Sequence, residues 1–131
     1  MATLDHIILK VNDVAASVAF YVEVLGFRSD GERPPFTVVR VSGGFVLQLA
    51  PWGTEGNVHL AFALSRLEFD AAFARIQARG IPYGPSFHAV GTGGEPGVED
   101  GANGPAPTVY CTCGLNVPLP SPIRTLTVPE S

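Results

Sequence analysis

The apolar and polar positions of this chain fall into two runs of the same shape. Residues 4–11, LDHIILKV, are mostly aliphatic with one His among them, a pattern that predicts a strand. Asn12 and Asp13 follow, with side chains suited to accept hydrogen bonds from the free amides of a helix start. Val14, Val18, Tyr21, Val22 and Leu25 then recur at helical spacing. Gly26 supplies the left-handed residue that ends such a helix. Three more strands are predicted over residues 27–32, 36–41 and 45–50, with Pro34-Pro35 breaking the first from the second. Ser42-Gly43-Gly44 joins the last two, and glycine there permits the positive φ of a hairpin turn.

The second run begins at Asn57. Residues 58–64, VHLAFAL, predict a strand, again with one His inside it. Ser65 and Glu68 form the S-x-x-E pattern in which hydroxyl and carboxylate satisfy each other's backbone amides. Phe69, Ala72, Phe73 and Ile76 make an apolar helical stripe, and Gly80 closes it. Laid along the first run, His6 meets His59, Phe20 meets Phe73, and Gly26 meets Gly80 after a one-residue slip. The chain therefore repeats itself at a period of about fifty residues. Residues 81–83 and 108–112 predict short strands. Between them, residues 84–107 are rich in Gly and Pro and carry Glu95, Glu99 and Asp100. A loop of that length is either a cover over a site or a mobile connection. In the tail, Pro118, Pro120, Pro122 and Pro129 give no ladder donor. A final strand there must lie at an edge, be bulged, or start late at Ile123.

Composition narrows the class. The 131 residues suit one domain, or two small modules sharing a core: 46% are hydrophobic and 15% charged, apolar enough for a core. A net charge of −4 without a basic stripe argues against a nucleic-acid partner. No apolar run reaches membrane-spanning length, and no signal peptide is evident, so a cytoplasmic protein is expected. Cys111 and Cys113 do not make a disulfide framework. They leave a soft-metal pair or two inert thiols as readings. No phosphate-cradle motif, nucleophile elbow or H-E-x-x-H is present.

Three segments carry a resemblance: LDHIILKVNDVAASVAFYVEVLGF, NVHLAFALSRLEFDAAFARIQARGIPYG and GANGPAPTVY. Over residues 4–110 the chain resembles the vicinal oxygen chelate superfamily of glyoxalases, extradiol dioxygenases and bleomycin-resistance proteins. The resemblance implies an α+β glyoxalase-like fold. In it two βαβββ modules, about residues 4–50 and 57–125, form cupped mixed sheets around a shared cavity in a single domain. Many small members complete that cavity with a second subunit, so a homodimer is implied. In metal-using members the ligands sit on the first and last strands of each module. Those positions fall on His6, His59 and, within FVLQLA, Gln48. The fourth is ordinarily a Glu after a D-P-x-G turn; here that turn is missing, and SPIRT places Pro122 at the position.

Each candidate has a plain reading and a chemical one. His6 and His59 are either buried imidazoles bonded to backbone or ligands for a divalent ion such as Zn, Ni, Mn or Fe. Gln48 offers a neutral amide oxygen. Glu95, Glu99 or Glu130 is available as a replacement carboxylate. His88, after Phe87, is either a loop His or a general acid or base titrating near neutrality. Trp52 stacks on a ligand or packs at an interface. Two functions follow. One is a metal-dependent lyase, isomerase or dioxygenase acting on a small substrate with adjacent oxygens. The other is a metal-free protein that sequesters a drug or metabolite in a groove lined by aromatics such as Phe36, Trp52, Phe62 and Phe87.

Overall fold

Asp13 turns the chain from its first strand into its first helix, its Oδ1 accepting from the Ala16 amide at 2.9 Å. In the computed structural model, which describes residues 1–53, 58–112 and 123–127, this begins a unit spanning Met1–Glu55. Strand β1 (His6–Lys10) leads to helix α1 (Val14–Ala19), which runs on as a π-helical turn over Phe20–Val24. There the Leu25 amide reaches back to the Phe20 carbonyl at 3.1 Å, one residue further than an α-helical bond. The line buried is Ser17, Phe20, Tyr21, Val24 and Leu25, while Val14, Val18 and Val22, expected on the stripe, flank it half-buried. Bulk decides this: the aromatic pair takes the centre, and the β-branched residues are displaced to the margin.

Strands β2 (Arg28–Arg33), β3 (Phe36–Ser42) and β4 (Phe45–Ala50) complete the first sheet, in the order β1-β4-β3-β2. β1 runs parallel to β4, and the other pairs are antiparallel. Alternation along the strands sends Leu9, Leu47, Leu49 and Val39 to one face, all at 2% exposure or less. Burying such a side chain contributes about 1.5–3 kcal/mol relative to leaving it in water. The β3–β4 turn departs from expectation: neither Gly43 nor Gly44 adopts a positive φ, and a side chain at either would meet open space. Left-handed glycines instead close the helices, Gly26 at φ 81° and Gly80 at φ 64°.

The second unit, Gly56–Ser131, repeats the plan with one interruption. Strand β5 (His59–Ala63) leads to helix α2 (Arg66–Ala78). The expected cap is present in both directions. Ser65 Oγ accepts from the Glu68 amide at 3.2 Å, and Glu68 Oε1 accepts from the Ser65 amide at 3.0 Å. The latter bond holds the Glu68 carboxyl below its ordinary pKa, because it favours the charged form. Phe69, Ala72 and Ile76 are buried and Phe73 half-buried, as the stripe predicts.

Strands β6 (Tyr83–Gly84), β7 (Gly97–Gly101), β8 (Gly104–Thr112) and β9 (Ile123–Thr127) follow. The sheet order is β5-β9-β8-β6, with β7 paired to the same strand β8 further along. Residues 84–107 are therefore not one long loop. β7 and the start of β8 form a hairpin, and Glu99 and Asp100 lie on its first arm. The partner of β2 in this unit is split in two, with residues 85–96 inserted between the pieces. The last strand starts at Ile123, one of the three expected arrangements. It sits between β5 and β8 rather than at an edge, since no proline falls inside it to remove a ladder donor. Asn57, Cys113, Pro118, Pro120, Pro122, Pro129 and Glu130 lie outside the described residues.

Candidate functional site

Ladder register decides which side chains can act together, because paired residues point to the same face. In the first sheet one rung runs His6, Val46, Arg40, Arg28, and the next runs Ile8, Gln48, Val38. His6 and Gln48 thus share the face opposite the Leu9 and Leu47 core. They stand diagonally on neighbouring strands, about 8 Å apart at the backbone by strand spacing and rise. His6 is not the buried imidazole of the plain reading. Its side chain is 46% exposed, and Nδ1 lies 2.7 Å from Asp5 Oδ2. A ring held at Nδ1 by a carboxylate leaves Nε2 as the atom free to take a ligand.

The second sheet is built on the same register. His59 pairs with Ile123 as His6 pairs with Val46, and Ala61 pairs with Thr125 as Ile8 pairs with Gln48. Thr125 therefore occupies the position equivalent to Gln48. The sequence comparison puts Pro122 there; the ladder puts the position three residues later. A proline-rich tail without its turn motif gives an alignment no anchor, whereas hydrogen-bond pairing does. His59 is exposed, and its ring stands 5.5 Å from that of Tyr110 at 71°, an edge-to-face contact. Tyr110 pairs with Thr125 and so belongs to the His59 face.

The insertion that splits β6 from β7 crosses this face. Gly84 pairs with Tyr110, and Gly97 pairs with Thr108. A Cβ on either would run into backbone, of Ala89 for Gly84 and of Pro85 for Gly97. Residues 85–89 therefore lie over the outer part of the face that carries His59, which leaves Thr108 fully buried. The Gly91 and Gly93 amides both donate to the Tyr83 carbonyl at 2.9 Å, fixing the return. His88, in the 3-10 turn Phe87–Ala89, is exposed on this segment. It springs from the far edge strand, with β8 and β9 between it and β5.

The carboxylates fare differently. Glu99 pairs with Ala106 and shares the His59 face by alternation, but it lies three strands over and three rungs along from His59. Glu95 is exposed within the insertion. Among the described residues, no three His, Cys, Asp or Glu side chains gather as a metal cluster. Cys111 is buried and free of disulfide. Trp52 is 54% exposed and set edge-to-face on Phe36 at 5.7 Å. No sequence signal marked Asp5 or Tyr110 as neighbours of the two histidines. Asp5 differs from any surface carboxylate only by adjacency, and Tyr110 reaches His59 through register.

A sequence profile of the Glyoxalase/Bleomycin resistance protein/Dioxygenase superfamily matches residues 3–100, and the chain belongs to that superfamily. Similar solved structures include the oxidase ChaP-H2, at a TM-score of 0.75 and 22% identity over 98% of this chain and 94% of that one. A lactoylglutathione lyase from Agrobacterium tumefaciens superposes at 0.66 with 18% identity, covering 98% and 94%. TnmS3, an antibiotic-binding protein from Streptomyces sp. CB03234, does so at 0.63 with 18% identity, covering 99% and 98%. At these identities the likeness is one of fold, a mixed α+β glyoxalase-like arrangement of two sheets. No curated protein sequence matches the chain. No helix among the described residues is long and apolar enough to cross a membrane.

Proposed function

We propose that this chain is a metal-assisted enzyme acting on a small molecule with neighbouring oxygens, with His6, His59 and Gln48 holding a divalent cation. The carrying observation is the pair of exposed histidines at equivalent ladder positions of two equivalent sheets, one of them already oriented by a carboxylate. Two imidazole nitrogens and an amide oxygen suit Zn, Ni, Mn or Fe. Asp5 adds the negative charge that the neutral ligands lack, through the His6 ring rather than at the ion. A bound divalent ion supplies Lewis acidity toward adjacent substrate oxygens, the shared opening of lyase, isomerase and dioxygenase chemistry.

The chain's own groups do the rest. Asp5 fixes the tautomer and orientation of His6. Tyr110 holds the His59 ring edge-on. His88 takes up or returns the substrate proton at a ring nitrogen. The family resemblance extends the reading to a homodimer, which light scattering reads directly.

The test is calorimetric titration of chelator-stripped protein with Ni, Zn, Mn and, without oxygen, Fe(II). One saturable site per chain is expected. His6→Ala and His59→Ala should each weaken it by at least about tenfold, and Asp5→Asn by about 10- to 100-fold. Failure of all four metals to saturate, or a site indifferent to His59→Ala, overturns the assignment.

One observation favours a second reading. Thr125, a neutral hydroxyl residue, stands where metal-using relatives carry a carboxylate. On that reading the protein sequesters an apolar ligand without a metal, with the pair of half-buried Phe36 and exposed Trp52 at its groove. A ligand whose thermal stabilisation survives chelation would support it over the first.

A further inference from the structure

We propose that the hollow between the start of β2 and the end of β3 is an oxyanion site, taking the carboxylate or phosphate of a small ligand. The hollow has a volume of about 280 Å³ and is lined by residues 26–28 and 40–43, at the β2–β3 end of the first sheet. Its two charged walls are Arg28 and Arg40, which are direct ladder partners. Like charges set opposite each other in a sheet oppose pairing unless something neutralises them.

One counter-charge is present. Asp30 Oδ2 accepts from Arg40 Nε at 3.0 Å and from Nη2 at 2.9 Å, while Arg40 Nη1 donates to the Gly43 carbonyl at 3.1 Å. Arg33 also approaches Asp30, at 3.9 Å. Asp30 is thus shared by two arginines, and its charge is spent on them. Arg28 is exposed and has no ion pair or side-chain hydrogen bond among the described residues. A guanidinium carries five N–H donors, so Arg28 keeps all of its own and Arg40 keeps two.

The surrounding face has the same sign. By register, Lys10, Arg28, Arg33 and Arg40 all fall on the His6 face of this sheet, four of the chain's eight Lys and Arg residues, although the net charge is −4. A carboxylate or phosphate seated against Arg28 would supply the missing counter-charge through paired N–H···O bonds, and the held guanidinium of Arg40 would meet its far side. A molecule of water takes about 30 Å³, so the hollow admits a phosphate or carboxylate with part of the body that bears it. The site stands three strands from His6 and holds with or without the metal reading.

The probes are inorganic phosphate and, separately, acetate, added to the full chain in the presence of chelator and followed by amide shifts in two-dimensional NMR. Saturable shifts centred on Gly26, Arg28 and Gly43 are expected, weakening as salt is raised. Arg28→Gln should lower the affinity at least tenfold, Arg28→Lys should restore part of it, and Arg66→Gln should change nothing. Saturation by both probes assigns a general oxyanion site, and saturation by one assigns that group. Linear, unsaturable shifts with both probes, or saturation unchanged in Arg28→Gln, would overturn the proposal. The chelator separates this outcome from any failure of metal binding.

Discussion

The two halves of the molecule run the same strand order from a His-bearing first strand, yet they have used their His-bearing faces differently. The sheet of Met1–Glu55 keeps an unbroken second strand and gathers charge: His6 with Asp5, Arg40 with Asp30, and Arg28. The sheet of Gly56–Ser131 splits that strand, lays residues 85–89 across the face, and sets Tyr110 edge-on to His59. A repeated scaffold constrains where a side chain can stand, not which chemistry stands there. Equivalent positions 48 and 125 now hold an amide and a hydroxyl.

The largest test of this contrast is steric. Gly84→Ala drives a Cβ into the Ala89 carbonyl, so it should destabilise the chain by about 1–3 kcal/mol, as overpacking does. Gly43→Ala, in open space without a positive φ, should be neutral or stabilise by up to about 1 kcal/mol. Urea unfolding of both variants reads the difference; equal midpoints would mean that residues 85–89 do not rest on the sheet.

Next comes Thr125→Glu, which places a carboxylate at the position equivalent to Gln48 and tests the proposed metal site. If the ladder equivalence is right, divalent metal affinity should rise at least tenfold, about 1.4 kcal/mol, and Gln48→Glu should act in the same direction. A Thr125→Glu chain that binds metal no better than its parent would break the equivalence.

The smallest effect belongs to the second half alone. Ser65→Ala removes a helix cap and should cost about 1 kcal/mol by thermal or chemical unfolding. Its partner has a pH signature. The folded state holds the Glu68 carboxyl below its ordinary value of 4.5. Its contribution is therefore complete above that value and is lost as the pH falls through the lowered one. Glu68→Gln should flatten the acid limb of the stability profile by lowering stability slightly at neutral pH, where the carboxylate's contribution is complete, while matching the parent chain in acid. An unaltered acid limb would show that the cap bond does not carry the titration.

Much of this plan is legible in the residues, and the reason is locality. The Ser65–Glu68 box, the α2 stripe, strand β4 and the closing glycines are each set by neighbours within a turn or a strand's length. The repeat of His6 at His59 is visible for the same reason, since a duplicated pattern needs no partner to be recognised. The first helix shows where locality ends. Its spacing favours Val14 and Val18, but competition for the core among Phe20, Tyr21 and Leu25 sets the buried line.

Register lies beyond what the chain reveals of itself. Slipping a strand by one residue turns every side chain to the other face. Pairing with a distant strand therefore decided that Thr125, rather than Pro122, stands at the position equivalent to Gln48. It also placed Arg28 beside Arg40 and His59 against Tyr110. The sequence determined which elements form, in what order, and that they form twice. The tertiary structure determined which side chains share a face, because hydrogen bonds between strands far apart in sequence carry information that no local window contains.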